Sequence, residues 1–168
     1  FYYGIKTGLN EAFVVDRAVR DRLIAEHPSS EEVLKPFLRG RDVKRWRVEP
    51  ADLWLLFIPW HFPLHEDPSI KGASEKAEFE FAKNYPAVFK HLLTYKAELS
   101  ARNAAETGVR YEWYALQRWG AEYWQEFEQP KVIYPNICAR NEFAWEDLSF
   151  YANQKTFIIP NATKFLLG

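Results

Sequence analysis

The sequence predicts an α+β fold in a single domain, with an N-terminal β-hairpin, several helices and a β-rich C-terminal third. Three observations lead to this prediction. The chain has 168 residues, of which 48% are hydrophobic and 17% aromatic, and this is enough to bury a core in one domain. Apolar residues recur at helical spacing behind capping residues in the middle of the chain. Short β-type runs bounded by turn residues dominate the final third.

The N-terminal hairpin is predicted from apolar residues that flank residues 6–10 on both sides. This segment contains glycine and asparagine, which readily take the positive φ of a tight turn. Lys6, Thr7 and Asn10 supply an amine, a hydroxyl and a carboxamide, and each of these groups can contact a phosphate or a base edge of nucleic acid. The alternative is a turn whose glycine and asparagine serve only its geometry.

Two helices are predicted next. Asp16 is a good N-cap for a helix over residues 17–27, and Ser29 with Glu32 three residues later has the pattern of a capping box. The second helix is expected to kink or restart near Pro36, because proline lacks the N–H that a helix interior needs.

Residues 34–47 form the most basic stretch, with six basic residues and one acidic residue, a local charge of +5 in a chain of net charge −1. Gly40 suits the position after a helix end, and the basic side chains on either side of it would then point outward from a bend in the chain. Guanidinium groups fit phosphates and the edge of guanine. One alternative is a solvated helix end, and another is a structural ion pair of Arg41 with Asp42. The candidate nucleic-acid contacts in this stretch are Arg39, Arg41, Lys44, Arg45 and Arg47.

Residues 53–58 predict a buried strand, and the proline-rich residues 59–74 predict a long loop. The loop contains His61 and His65, whose spacing would suit two metal ligands on a helix. Pro63 between them argues against a helix, and no HExxH motif occurs. A metal-dependent hydrolase that uses these histidines is therefore an alternative that would need bound metal.

Helices are predicted over residues 75–83 and 87–103, the second with an apolar stripe that faces the core. Residues 110–130 are dense in aromatic side chains, and some of these must be core. Arg118 beside Trp119 could form part of a surface on which bases stack. Residues 131–137 predict another buried strand, and residues 143–160 predict a final β-meander.

Several function classes are disfavoured by the sequence. Lys and Arg number 22 and Asp and Glu 23, so nucleic-acid binding would have to come from local placement of charge. No apolar run approaches the roughly 18 residues of a membrane span, and no membrane partner is predicted. The single cysteine excludes a disulfide framework within the chain and fits a reducing, cytoplasmic compartment. No P-loop, GxGxxG or GxSxG motif occurs, which favours a recognition module over a catalyst.

Three blocks of the sequence carry a family resemblance. They are GIKTGLNEAFVVD at residues 4–16, LKPFLRGRDVKRW at residues 34–46, and PKVIYPNI at residues 130–137 with the FAWEDLSFY and FIIP runs that follow. In this order they resemble the TaqI-like C-terminal specificity domain. This is the target-recognition domain of adenine-specific DNA methyltransferases and of type IIG restriction–modification enzymes. The resemblance covers nearly the whole chain, residues 1–168.

The resemblance implies a DNA-recognition domain without catalytic residues or a cofactor of its own. Its partners would be double-stranded DNA and an N-terminal methyltransferase domain of the same protein, which would bind S-adenosylmethionine, in a prokaryotic cytoplasm. The chain starts at Phe1 and contains no methionine, so we expect a fragment of a longer methyltransferase or type II restriction enzyme. The Asn-Pro-Pro-Tyr-type motif of such enzymes is absent, since residues 134–137 read YPNI.

DNA contacts are then expected from the N-terminal turn, from the basic stretch and from three later side chains, Arg118, Arg140 and Asn141. Which of them read bases and which hold phosphates is left open. The competing hypothesis is a protein-interaction module that buries its aromatic and arginine side chains against a partner without contacting DNA.

Overall fold

A computed structural model describes residues 1–163 of the chain. The α-helices of this region are α1 (Asn10–Phe13), α2 (Arg17–Glu26), α3 (Ser30–Val33), α4 (Glu75–Asn84), α5 (Pro86–Leu93) and α6 (Lys96–Ala101). The strands are β1 (Tyr2–Tyr3), β2 (Val14–Asp16), β3 (Leu34–Leu38), β4 (Val43–Lys44), β5 (Arg47–Val48), β6 (Leu53–Leu56), β7 (Lys131–Pro135), β8 (Ala144–Glu146), β9 (Tyr151–Ala152) and β10 (Thr156–Pro160). Two 3-10 helices span Gly40–Asp42 and Trp124–Glu128. None of the helices in residues 1–163 is long and apolar enough to cross a membrane.

The strands form two four-stranded sheets and a separate hairpin. The terminal sheet has the antiparallel order β1-β10-β7-β8. The central sheet has the order β2-β6-β3-β9, in which β3 and β9 run parallel. Strands β4 and β5 form the hairpin, and a bridge between Trp46 and Ala144 ties it to β8. The predicted mixture of helices with a β-rich C-terminal part is confirmed.

The N-terminal strands lie on either side of the predicted turn at residues 6–10, but each pairs with a distant strand. Strand β1 pairs with β10, and β2 pairs with β6. The cause is local, because α1 follows the turn and buries Ala12 and Phe13. This helix carries the chain away from β1 before β2 begins, so the N-terminal segment links the two sheets.

Residues 34–38 form strand β3, which corrects the prediction of a kinked helix through Pro36. Helix α3 ends at Val33, whose carbonyl accepts the Phe57 N–H at 2.8 Å. Bonded pairs alternate along an antiparallel ladder, so the nitrogen of Pro36, opposite Trp54, points away from β6. Proline therefore removes no hydrogen bond between β3 and β6.

Two capping predictions have different outcomes. Asp16 caps α2 as predicted and accepts the Val19 N–H at 2.9 Å. The capping box predicted from Ser29 and Glu32 does not form, because Ser29 has helical backbone angles and its hydroxyl lies 2.6 Å from Nδ1 of His27. The Ser29 hydroxyl interacts with the His27 imidazole and therefore does not cap the helix.

The helix predicted over residues 87–103 is broken into α5 and α6. The Thr94 hydroxyl donates to the His91 carbonyl at 2.7 Å, a local bond of the kind that competes with helical hydrogen bonds and bends helices. The apolar stripe nevertheless faces the core as predicted, with Val88 and Leu99 fully buried.

The predicted C-terminal meander is divided between the two sheets, because β9 joins β3 in the central sheet. The side chains of Lys131 and Glu146 face each other on β7 and β8 and form a fully buried ion pair. Glu146 also accepts the N–H groups of Leu148 and Phe150 at 2.5 and 3.2 Å. This turn directs the chain out of the terminal sheet.

The loop predicted over residues 59–74 is confirmed, and a buried carboxylate fixes both of its ends. Glu112 accepts the N–H groups of His61 at 2.7 Å and Ser74 at 2.9 Å. Its Oε1 also lies 2.9 Å from Nδ1 of His61. His65 instead stacks on Phe62, with ring centroids 5.6 Å apart. In residues 1–163 no group of three or more His, Cys, Asp or Glu side chains could hold a metal ion.

Candidate nucleic-acid interface

Arg39 is fixed to a carboxylate that is only 5% exposed. Asp42 accepts hydrogen bonds from the backbone N–H of Arg39 at 2.8 Å, from its Nε at 3.1 Å and from its Nη2 at 2.8 Å. The side-chain hydrogen bond to Asp42 raises the pKa of Arg39. The ion pair with Asp42 that was an alternative for Arg41 is therefore made by Arg39, and it closes the Gly40–Asp42 turn.

Arg41 is exposed and lines a cleft of about 680 Å³, here called the Arg41 cleft. The walls come from the Gly40–Asp42 turn, helix α1, the β7–β8 loop and the β9–β10 turn. Cations, carboxamides and two carboxylates share the lining, so the cleft can offer charge to a phosphate and amide groups to a base edge. Its polar side chains are Asn10, Glu11, Arg39, Arg41, Asn136, Glu142, Asn153 and Lys155.

Thr7 and Asn10, two of the three contacts predicted in the N-terminal turn, have different environments. Thr7 is 4% exposed, and its hydroxyl donates to Oδ1 of Asn10 at 2.6 Å while accepting the Leu9 N–H at 3.2 Å. The Thr7 hydroxyl is thus used inside the turn. Asn10 is exposed and stands in the wall of the Arg41 cleft.

The β4–β5 hairpin presents the remaining cations of the basic stretch. Lys44 pairs with Arg47 across its end, so Arg45 and Trp46 form a two-residue connection. The guanidinium of Arg45 lies 5.2 Å from the centroid of a Trp46 ring. Arg47 donates to Oε1 of Glu49 at 2.9 and 2.6 Å, in a pair that is largely exposed.

Arg140 and Asn141 lie in the loop that joins β7 to β8, and both are exposed. Asn141 lines a second cleft, of about 470 Å³, together with Arg45 and Trp46. Other residues of the same loop line the Arg41 cleft. The loop therefore borders both clefts and carries an exposed cation of its own, Arg140.

Lys6 and Arg118 meet in a third cleft of about 590 Å³, with Trp119 and Tyr123 in its lining. The N–H of Lys6 donates to the carbonyl of Arg118 at 3.0 Å, and the N–H of Arg118 donates to the carbonyl of Lys6 at 2.9 Å. The Arg118 guanidinium lies 5.2 Å from the Tyr3 ring centroid. The structure thus joins these two predicted contacts to each other, in a cleft whose lining differs from that of the Arg41 cleft.

Lys155 is a candidate that the sequence pattern does not single out, because it is an isolated cation. It lies in the β9–β10 turn, against the Gly40–Asp42 turn. A Cβ at Gly40 would stand only 3.3 Å from the Lys155 carbonyl, so the glycine permits this close approach. The turn-forming run Asn153-Gln154-Lys155 between two β-type segments is the signal that could have revealed it.

No protein-family model matches the sequence, and no curated protein is significantly similar to it. Solved structures do match, among them the type IIL restriction–modification enzyme MmeI in complex with DNA. The sequence identity is 18% and the TM-score 0.51, over 98% of this chain and 19% of that enzyme. This chain thus spans about a fifth of the length of MmeI. At this identity the likeness concerns the fold, which is related to that of part of a restriction–modification enzyme.

Proposed function

We propose that this chain, residues 1–168, is the DNA target-recognition domain of a longer restriction–modification enzyme, of the TaqI-like type that its sequence resembles. On this proposal it binds double-stranded DNA and positions a separate N6-adenine methyltransferase domain of the same protein on the target site. Methyl transfer and S-adenosylmethionine binding belong to that other domain. No catalytic residue is assigned to this chain, and the prokaryotic cytoplasm is the expected location.

The observation that carries the proposal is the grouping of exposed cations around the β7–β8 loop. Arg41, Arg45, Arg140 and Lys155 come from four separate segments, and all four are exposed. Within residues 1–163 none of them forms an ion pair. These four cations outnumber the two carboxylates, Glu11 and Glu142, that line the Arg41 cleft. They therefore leave a local positive patch of the kind that binds phosphates, in a chain whose net charge is −1.

The neighbouring amides suggest how sequence would be read. A carboxamide can bond adenine N6 and N7 together, and an arginine can do the same for guanine O6 and N7. Asn10, Asn136 and Asn153 line the Arg41 cleft beside Arg41 itself. We infer that these carboxamides contact base edges, while Arg41 and the cations around the cleft hold the DNA backbone.

The fold likeness supports the proposal, because the MmeI structure contains DNA. A direct test is to titrate the protein against a labelled duplex while salt is raised from about 50 to about 200 mM. The proposal expects log affinity to fall linearly with log salt concentration, since bound cations are released from the phosphates. Failure to bind duplex DNA even at the lowest salt would reject it.

A second candidate function, a protein-interaction module, is favoured by a row of aromatic residues across the terminal sheet. Tyr3 pairs with Phe157, and Phe157 pairs with Tyr134, so the three side chains lie on one face of neighbouring strands. Tyr3 is 53% exposed, and exposed aromatic side chains mark many protein interfaces. Exchanging this chain between two parent enzymes separates the candidates, because only a recognition domain would transfer the DNA sequence preference.

A further inference from the structure

Trp46 exposes an indole to solvent at the tip of the β4–β5 hairpin. The residue is 53% exposed and has a φ of 71°. A positive φ in the second position of a two-residue turn suits glycine or asparagine, and a bulky side chain there is strained. Neither burial nor turn preference accounts for tryptophan at this position. We therefore ask what the exposed indole ring could bind.

The backbone of Trp46 is held firmly. Its N–H donates to the Phe143 carbonyl at 2.8 Å, and it forms a bridge with Ala144 at the start of β8. The Arg45 guanidinium lies against its ring system. The indole therefore projects from a backbone that is hydrogen-bonded to the edge of the terminal sheet.

Beside the indole is the cleft of about 470 Å³, here called the Trp46 cleft, a size within the roughly 300–1,000 Å³ usual for ligand sites. Its wall includes Tyr134 and Phe143, whose ring centroids are 5.0 Å apart. Phe1 also lines the cleft, with its ring centroid 6.5 Å from that of Tyr134, and Val132 and Ile159 add aliphatic surface. The lining is thus mostly flat or apolar.

The polar groups of the Trp46 cleft are few and carry one sign of charge. Arg45 supplies a guanidinium, Asn141 a carboxamide and Tyr134 a hydroxyl, and no carboxylate lines the cleft among the described residues. Lys44 and Arg47 flank the tip of the same hairpin. A ligand that matches this lining has a flat aromatic face, a hydrogen-bonding edge and negative charge, and a nucleotide combines all three.

We propose that the Trp46 cleft binds a single unpaired base of DNA, with the base against Trp46 and its phosphate on Arg45. The inference rests on the proposed function and adds to it a preference for unpaired bases. A base stacked inside a continuous duplex has no free face against which the indole could pack. The protein should therefore prefer a duplex that offers one unpaired base over an otherwise identical paired duplex.

The test compares two labelled duplexes of the same sequence, one fully paired and one with a single unpaired thymine. Trp46→Gly removes the ring while keeping a residue that accepts positive φ, and Trp46→Phe keeps an aromatic face. Phe79→Ala is the matched control, because Phe79 is 64% exposed on α4. Each variant is first checked for native circular dichroism.

We expect Trp46→Gly to bind the unpaired-base duplex about 5- to 150-fold more weakly than wild type, the range for losing one base–aromatic stack. Its affinity for the paired duplex should stay the same. Trp46→Phe should keep part of the preference, and Phe79→Ala should keep all of it.

Three results would overturn the inference. The first is equal binding of both duplexes by wild type. The second is an unchanged preference in Trp46→Gly, which would leave the Trp46 surface to a protein partner. The third is an equal loss of affinity for both duplexes in Trp46→Gly, which would make Trp46 an ordinary DNA contact. Failure of the proposed function looks different, since the wild-type protein would then bind neither duplex in a salt-dependent manner.

Discussion

Arg39 donates three hydrogen bonds to the buried carboxylate of Asp42, whereas Arg41, two residues away, points into an open cleft. The first arginine closes the turn from which the second is displayed. We therefore expect the two arginines to have separable roles, Arg39 in stability and Arg41 in the proposed DNA binding.

Replacing Arg39 should destabilise the protein more than replacing Arg41. In Arg39→Ala the Asp42 carboxylate keeps only its backbone bond, and losing partners of a buried group typically costs about 1–3 kcal/mol. Arg41→Ala should change the free energy of unfolding by about 0.5 kcal/mol or less, as an exposed substitution. Urea denaturation of both variants measures this, and equal unfolding midpoints would contradict the assignment.

The Lys131–Glu146 pair should be sensitive to removal of one partner alone. Lys131 also donates to the Phe127 carbonyl at 2.6 Å, so the ammonium is well bonded although its side chain is fully buried. Lys131→Met leaves the carboxylate without its cation, which typically costs about 3–5 kcal/mol. The double variant Lys131→Met/Glu146→Gln should recover part of this loss, and a single variant as stable as wild type would show that the pair is not needed.

Glu112 should control the mobility of residues 59–74. Glu112→Ala removes the acceptor of the His61 and Ser74 amides, so we expect faster hydrogen exchange at both ends of the loop and a loss of roughly 2–4 kcal/mol from several buried bonds. Glu66→Ala, an exposed change within the loop, serves as the control. Unchanged exchange in Glu112→Ala would mean that the loop is held by other contacts.

Stability should fall as the solution is acidified from about pH 7.5 to about pH 5.5. Burial lowers the pKa of both His65 and His91 below the ordinary value of 6.5. Between the lowered folded-state pKa and 6.5 the unfolded chain binds more protons than the folded protein, so the free energy of unfolding decreases with falling pH. His91→Gln should flatten this dependence in urea titrations, and an identical slope in that variant would exclude His91 as a source.

The sequence revealed local structure better than long-range pairing. Asp16 capped its helix as predicted, since that signal lies within four residues. The partner of β1 lies at the other end of the chain, and no local pattern specifies it. Pro36 was misread because proline disfavours a helix interior but is tolerated in β3, where its nitrogen faces away from β6 and the pairing with β9 begins only at Phe37.

The site shows the same division. The basic stretch was visible as a charge run, but its pairing was not, because Arg39 reaches Asp42 only when the intervening residues form a 3-10 turn. Lys155 joins the Arg41 cleft through tertiary packing against Gly40. Thr7 has a suitable side chain by type, yet the turn uses its hydroxyl internally. Residue types could predict which side chains are candidates for DNA contact, but only the fold determines which of these side chains lie on the same surface.

The central claim is that the cations around the β7–β8 loop bind DNA phosphates. The most direct test is the salt dependence of duplex binding by the variant Arg41→Ala/Arg45→Ala/Arg140→Ala, with Arg22→Ala on α2 as a control, since Arg22 is an exposed arginine paired with Glu26. Each phosphate contact contributes about 0.9 to the slope of log affinity against log salt. The triple variant should therefore lose up to about 2.7 from the slope, and the control should keep the wild-type value. An unchanged slope in the triple variant would contradict the claim.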